Sequence, residues 1–251
     1  MLSDPLFLAI ALIAVVILGL AKGGFSGVGM LATPMMALVI PPLQAAAILL
    51  PILLAQDIIS VWAYRRDWDR WNIKVMLPGA FVGVGIAWAL AAHLPDSMVR
   101  LMVGVIGLIF VFNSWFGRVP AETRKASATG GVFWGVVTGF TSTLVQAGSP
   151  PFQFHMLPQK LPKLTFVGTN AILFAAINVL KVVPYFALGQ FSESTMKISA
   201  IFLPLAVITN FIGIWLVRIT PQGLFYRLAY VLVFLISIGL TWEALHEMWR
   251  G

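Results

Sequence analysis

Residues 22–40 read KGGFSGVGMLATPMMALVI, and residues 138–151 read TGFTSTLVQAGSPP. Both runs stand inside long apolar stretches, and both are rich in glycine, proline, serine and threonine. Glycine and proline weaken or end a helix, and polar residues at membrane depth are rare. Each run therefore predicts a membrane helix that is interrupted part-way, with backbone hydrogen-bonding groups that lack a partner in their own helix.

The composition places the rest of the chain in a membrane as well. Of the 251 residues, 60% are hydrophobic and 10% are charged, against roughly 25% charged in soluble domains. Such a chain cannot cover its surface with polar groups, so a water-soluble fold is excluded. Uniform apolarity with frequent glycine favours helices over barrel strands, which alternate in polarity. The apolar spans are 6–21, 43–64, 75–92, 101–117, 126–154, 164–192, 198–217 and 228–242.

The order of residues after the first interruption is similar to the order after the second. Setting Gly24-Phe25-Ser26 on Gly139-Phe140-Thr141 brings several later residues into register at nearly constant shifts. A twofold internal repeat explains this, and chance matching in an apolar chain is the alternative. We predict repeats at 1–119 and 126–251, joined by a cytoplasmic linker at 120–125. The matched pairs are Asp57 with Asn178, Tyr64 with Tyr185, Pro78 with Pro204 and Pro95 with Pro221.

The positive charges predict that the two repeats are inverted. Eleven of the sixteen Lys and Arg residues lie at 65–74, 118–125, 160–163 and 218–227, and such residues concentrate in cytoplasmic loops. The basic loop 65–74 and its repeat partner then fall on opposite sides of the membrane. The prediction is an all-α polytopic protein of the bacterial inner membrane with both termini periplasmic.

Each half is expected to hold a broken or re-entrant helical hairpin plus three transmembrane helices. The segments on either side of each interruption are shorter than a full crossing, and this favours a hairpin that enters and leaves on one side. Two short full crossings fit the charge pattern equally well.

The two interruptions predict a binding site for a small anion. A broken helix at membrane depth is tolerated where it lines a polar cavity, and glycines let the backbone approach a ligand. Hydroxyl and amide side chains donate hydrogen bonds without adding negative charge. Close helix packing by small residues is the alternative for any one position. The candidate substrate-binding residues are Lys22, Gly24, Ser26, Gly27, Gly29, Thr33, Thr141, Ser142, Thr143, Gln146, Ser149, Asn178 and Lys181.

Three ionisable residues lie within the apolar segments. Lys22 fits either a fixed countercharge for an anion or a side chain that snorkels to the interface. Lys181, near the end of its span, also fits snorkelling, with Asn178 one turn away. Asp57 is the candidate for proton coupling, and an ion pair with Arg65 or Lys22 is the alternative. Its repeat counterpart Asn178 does not titrate, so proton coupling would involve one half.

The sequence gives little support for metal or cofactor binding, catalysis or nucleic-acid binding. The chain has no cysteine, and His93, His155 and His246 share no ligand spacing, so neither a metal nor a cofactor is expected. No nucleotide-binding motif or catalytic constellation is present, so an enzyme is not expected. The basic residues form no continuous face, so nucleic acid is not an expected partner.

The interruptions and the residues after them resemble the TauE/SafE family of sulfite and organosulfonate transporters. Nearly the whole chain is covered, and the second-half residues are the more diagnostic. The motifs are 24–29 (GFSGVG) with Pro34, and then 139–141 (GFT), 148–151 (GSPP), 161–163 (LPK) and 178–185 (NVLKVVPY).

The resemblance implies transport of small sulfur-containing or other organic anions across the bacterial inner membrane, commonly outward. The chain departs from the family pattern at 141–147 (TSTLVQA), where a glycine-rich stretch is expected. Hydroxyls and an amide there replace bare backbone, which bears on the identity of the anion.

These observations lead to one hypothesis and two alternatives. The hypothesis is a secondary transporter that exports anions such as sulfite, thiosulfate or organosulfonates by alternating access, with protons as the candidate coupling ion. The alternatives are an intramembrane enzyme acting on a lipid phosphate and a passive anion channel. The enzyme would need a nucleophile and a base near the interruptions, where no histidine lies.

Overall fold

A computed structural model of the chain describes residues 4–24, 28–37, 39–90 and 126–250, with isolated positions between 95 and 116. The regular elements of these described ranges are helical. Five of the helices are long and apolar enough to cross a bilayer. Large apolar side chains such as Ile58, Phe186 and Trp215 lie exposed on them, as expected of a lipid-facing surface. The predicted all-α membrane fold is confirmed at this level, while the linker 120–125 lies outside the described residues.

The described helices fall into two groups, one before residue 91 and one after residue 127. The first group is α1 (Pro5–Gly23), a 3-10 helix (Val28–Leu31), α2 (Ala32–Ala37), α3 (Pro42–Tyr64) and α4 (Arg70–Leu90). The second group is α5 (Ala128–Val145), α6 (Ser149–Met156), a 3-10 helix (Leu157–Gln159), α7 (Lys163–Ala187), α8 (Glu193–Ile219) and α9 (Gln222–Arg250).

Side-chain caps mark the beginning of three helices. The carboxylate of Asp4 accepts a hydrogen bond from the backbone N–H of Leu6 at the start of α1. The Ser127 and Ser192 hydroxyls accept equivalent bonds at the starts of α5 and α8. Each cap satisfies a backbone donor that the helix itself leaves without a partner.

The first interruption begins later than the sequence predicts. Lys22 still belongs to α1, which ends at Gly23, and Gly24 follows with φ +139°, a conformation that side chains with a Cβ rarely adopt. At 19 residues, about 28 Å at 1.5 Å per residue, α1 is one of the five helices long enough to cross a bilayer. The shortness that favoured a re-entrant hairpin over full crossings is therefore not found for α1.

The prediction that the second interruption spans 138–151 is wrong for its first half. Residues 138–145 are helical, and the chain breaks only at 146–148. The Thr141 and Thr143 hydroxyls donate to carbonyls one turn earlier in α5, so these polar residues do not disturb the helix. Gln146 then ends α5 in the left-handed conformation, with φ 57°.

The glycine that aligns with Gly24 in the sequence has a different place in the structure. Gly139 lies inside α5, where an added Cβ would come within 2.2 Å of the Ala80 carbonyl oxygen. It therefore serves the close approach of α4 to α5, which is the packing role that small residues commonly have in membranes.

Helices from the two groups pack against one another, and we call α3 and α7 the central helices. α1 packs against α8, α5 packs against α4, and α3 lies against both α7 and α8. One cluster of buried apolar side chains joins α1, α2, α3 and α8, including Phe7, Met36, Ile48 and Phe202. A second joins α4, α6 and α7, including Met76, Phe152, Phe166 and Ile177.

Two glycines of α4 provide a matched test of this packing. A Cβ at Gly83 would lie 2.0 Å from the Val136 carbonyl oxygen on α5, whereas a Cβ at Gly85 meets nothing within 4 Å. We expect Gly83→Ala to lower the free energy of unfolding by about 1–3 kcal/mol, because the helices must separate. We expect Gly85→Ala to be neutral or stabilising, because alanine favours a helix by about 1 kcal/mol. Thermal unfolding in detergent measures both; equal shifts would contradict the α4–α5 contact.

Candidate functional site

The central helices α3 and α7 each carry three polar side chains, at the same spacing on both helices. The three residues on each helix are separated by three and then four positions, so each set lies on one helical face. None of the six is more than 4% exposed. The faces are Asp57, Ser60 and Tyr64 on α3, and Asn178, Lys181 and Tyr185 on α7.

Asp57 joins the two faces and α1. The Lys22 ammonium lies 2.5 Å from Asp57 Oδ1, and the Asn178 side-chain amide donates to Oδ2 at 2.6 Å. The sequence leaves Lys22 and Arg65 as alternative partners of Asp57. In the structure Asp57 pairs with Lys22, and the Arg65 guanidinium donates to the Trp62 carbonyl instead. The Lys22 side chain is 10% exposed and paired, so Lys22 is a largely enclosed cation and not a snorkelling one.

Lys181 does not snorkel either. It is fully buried, and its ammonium donates to the Ser142 carbonyl and hydroxyl oxygens at 3.3 and 3.2 Å, and to Gln146 Oε1. All three acceptors belong to the last turn of α5 or to the residue that ends it. A helix C-terminus carries partial negative charge, which explains why the ammonium turns inward and not toward the interface.

The last carbonyls of α1 and α5 are capped in the same way. In each case, side chains from the face of the following long helix donate to two successive carbonyl oxygens. On α1, the Ser60 hydroxyl donates to Lys22 O at 3.0 Å and the Tyr64 hydroxyl to Gly23 O at 2.5 Å. On α5, Lys181 Nζ donates to Ser142 O at 3.3 Å and the Tyr185 hydroxyl to Thr143 O at 3.0 Å.

A cavity of about 50 Å³ lies between the two interruptions. That is several times the roughly 10–15 Å³ that a single water molecule requires. Both interruptions and both central helices contribute to its wall. The predicted site residues that line it are Lys22, Gly29, Ser142, Gln146, Ser149 and Asn178.

Two of the lining residues hold buried polar atoms without a hydrogen-bond partner. These are Gln146 Nε2 and Asn170 Oδ1. A buried polar group without a partner is unfavourable by about 1–3 kcal/mol, so such groups mark a place where a ligand or water completes the bonding.

Other predicted site residues lie away from the cavity wall. The Thr141 and Thr143 hydroxyls bond within α5, and Gly24 lies against Val167 and Val217. Thr33 is buried and its hydroxyl has no partner, but it does not line the cavity. Ser26 and Gly27 lie outside the described residues.

Sequence reasoning missed six of the lining residues, and two of these, Asn170 and Phe174, lie on α7. They precede Asn178 by two turns and one turn of α7, and the Phe174 ring centroid lies 5.8 Å from the Lys22 ammonium, within cation–π range. The helical period running back from Asn178 is the signal in the sequence that places both residues on the same face of α7.

The charges at the site favour an anion. Asp57 and Lys181 are buried, Lys22 is largely enclosed, and Lys181 donates to the uncharged residues Ser142 and Gln146. With both lysines protonated, the formal charges of the three residues sum to +1. Because buried charge is unfavourable unless it is compensated, the excess cation is a feature that a negatively charged ligand would balance.

The sequence matches a protein-family model over most of its length. The family model described as sulfite exporter TauE/SafE matches residues 10–240. The chain belongs to the TauE/SafE family. The resemblance inferred from the motifs is thereby confirmed, and TauE/SafE membership implies a multi-pass membrane protein that exports anions. The family consists of transporters and not of enzymes, so the enzymatic alternative has no support. Comparisons with curated proteins and with solved structures find no match.

Proposed function

We propose that this TauE/SafE protein exports small sulfur-containing anions, such as sulfite, thiosulfate or organosulfonates, as a secondary transporter with alternating access. The substrate occupies the cavity between the two interruptions. One observation carries the proposal: Lys22 lines the cavity and pairs with Asp57, and the buried Lys181 donates to Ser142 and Gln146 of the cavity wall. An excess positive charge at membrane depth is expensive without a counter-ion, and a small anion supplies one.

The contacts of the lysines support their role as anion ligands. Lys22 lies in the last turn of α1, and Lys181 reaches the last turn of α5. The Lys181 ammonium is held by the negative end of α5, and the Lys22 ammonium is held by Asp57. Each ammonium is thereby placed where it offers the anion a cation beside a helix end.

Neutral donors complete the proposed site. The Ser142 and Ser149 hydroxyls and the Gln146 amide line the cavity and supply hydrogen bonds without a competing negative charge. Gly29 lets the 3-10 helix pack closely on α1 at the cavity wall, because a Cβ there would come within 2.8 Å of the Ala21 Cβ. Small oxyanions accept several hydrogen bonds at once, so convergent donors suit this substrate class.

We propose that the two groups of helices form an inverted repeat. The capping bonds support this: their donors are related by a shift of 121 residues and their acceptors by 120. Asp57 and Asn178 occupy equivalent positions and bond to each other, as residues beside a pseudo-twofold axis do. Alternating access then arises from movement of one repeat against the other.

The proposed topology places the protein in the bacterial inner membrane with both termini periplasmic. The basic residues at 65–74 and 160–163 then face the cytoplasm. In an exporter, this is the side from which the anion enters, and the surface charge attracts it.

Asp57 is the proposed proton-coupling residue. Both of its carboxylate oxygens are engaged, one by Lys22 and one by Asn178. Protonation removes the negative charge that holds Lys22, which raises the formal charge of the site from +1 to +2 and frees the ammonium for an anion. A proton and an anion therefore favour each other's binding at this site.

Purified protein in liposomes tests the proposed function. We expect flux of sulfite, thiosulfate or an organosulfonate that saturates with concentration and is reduced by a second small sulfur-containing anion. A passive channel gives flux that does not saturate and does not respond to an imposed proton gradient. Liposomes without protein are the control, and absence of saturable, competable flux for any small anion contradicts the proposal.

A further inference from the structure

We propose that Tyr64 and Tyr185 are a matched pair of positioning residues that keep the negative ends of α1 and α5 from weakening anion binding. The proposal rests on the anion site described above. It assigns a measurable effect on the affinity for the transported anion to two hydroxyl groups that are not part of this cavity's wall.

The need for such residues follows from the direction of the helices. Both α1 and α5 run toward the cavity with their C-termini, as shown by Ala21 and Lys22 on one side and Ser142 and Gln146 on the other. The C-terminus of a helix carries partial negative charge on carbonyls that have no partner within the helix. Two such ends beside one cavity would repel an anion.

The tyrosines engage these carbonyls. The Tyr64 hydroxyl donates to Gly23 O at 2.5 Å, and the Tyr185 hydroxyl donates to Thr143 O at 3.0 Å. Both rings are 1% exposed, so water does not replace the phenol as a donor in this arrangement. Each bond directs a carbonyl toward a donor and offsets its partial charge.

The same bonds place the two lysines. Gly23 directly follows Lys22, and Thr143 directly follows Ser142, whose carbonyl and hydroxyl oxygens receive the Lys181 ammonium. Tyr64 lies on the α3 face that carries Asp57, and Tyr185 lies on the α7 face that carries Lys181. Each tyrosine thus fixes the end of an interrupted helix against the face that presents the charged groups.

The position of the tyrosines in the chain makes the pair testable as a pair. They are 121 residues apart, on different helices, and they contact different helix ends. If substitution of either tyrosine only lowered the stability of the protein, the size of the effect would depend on the packing around that residue. An electrostatic and positional role at one shared cavity predicts that both substitutions weaken anion binding by a similar factor.

The test measures sulfite flux in proteoliposomes for Tyr64→Phe and Tyr185→Phe. Phenylalanine keeps the buried ring and removes the donor. We expect KM for sulfite to rise about tenfold in each variant, the effect of one lost hydrogen bond to a buried group, with Vmax changed less than about twofold. Thermal unfolding in detergent is measured in parallel.

Ser199→Ala is the matched control. The Ser199 hydroxyl donates to Ile48 O at 2.7 Å between α8 and α3, is equally buried and does not line the cavity. We expect it to lower the unfolding temperature and leave KM unchanged. If Tyr64→Phe does not fold, Ser60→Ala tests the same helix end, because it frees Lys22 O.

The outcomes separate the two proposals. Wild-type transport with unchanged KM in both tyrosine variants overturns the positioning role and leaves the proposed function standing. A wild-type protein without saturable sulfite, thiosulfate or sulfonate flux removes the proposed function and the positioning role together. A raised KM in both tyrosine variants, with Ser199→Ala unchanged, supports the pair.

Discussion

Lys181→Met is expected to raise the KM for the transported anion about a hundredfold or more, or to leave no measurable saturable flux. Lys181 is fully buried, and its ammonium is directed at Ser142 and Gln146, two residues of the cavity wall. Methionine has a similar length and no charge, so the formal charge of the site falls from +1 to zero. Losing one member of a buried charge pair typically costs about 2–5 kcal/mol in binding, which corresponds to the expected range.

The control for Lys181→Met is Lys197→Met. Lys197 pairs with Glu193 at the exposed start of α8, and its side chain is 69% exposed. Exposed pairs of this kind contribute little, so transport by the control is expected to equal that of the wild type. Saturable flux with unchanged KM in Lys181→Met would show that the buried ammonium is not an anion ligand.

Asp57→Asn is expected to abolish transport driven by a proton gradient while substrate binding remains measurable. Asparagine keeps the shape of the side chain but does not bind and release a proton. It also removes the negative charge beside Lys22, so the affinity for an anion is expected to be unchanged or higher. Concentrative uptake in proteoliposomes with an imposed pH gradient measures the first effect. Anion-dependent thermal stabilisation in detergent measures the second.

Glu193→Gln provides the comparison for Asp57→Asn, because Glu193 is a carboxylate whose side chain is 83% exposed. Its transport is expected to respond to the gradient as the wild type does. Unaltered concentrative transport by Asp57→Asn would remove Asp57 from the coupling mechanism and leave it as the structural partner of Lys22.

Much of the candidate site was visible in the sequence. The two interruptions drew attention to Lys22, Ser142, Gln146 and Ser149, and all four line the cavity. The repeat alignment also pairs Asp57 with Asn178, and the structure shows a hydrogen bond between these two side chains that the alignment did not predict. The sequence singles these residues out because polar residues in an apolar chain are few and must find partners or a cavity.

The prediction of a helix break failed at residues whose type occurs both in broken helices and in closely packed ones. The glycine and threonine content of 138–145 predicts a helix break, whereas the structure shows regular helix there. Gly139 permits contact with α4, and Thr143 bonds within its own helix. The composition of a short stretch does not distinguish a broken helix from a closely packed one, because both use small residues.

The amino-acid sequence by itself determined that the protein lies in a membrane, that it is helical and that it belongs to the TauE/SafE family. Those properties depend on hydrophobicity added over many residues and on local motifs, neither of which needs contacts between distant parts of the chain. Only the tertiary structure decided that Asp57 pairs with Lys22 and that Lys181 turns toward the end of α5. The partners are separated by 35 and 39 residues, and which buried charges meet depends on how the helices pack.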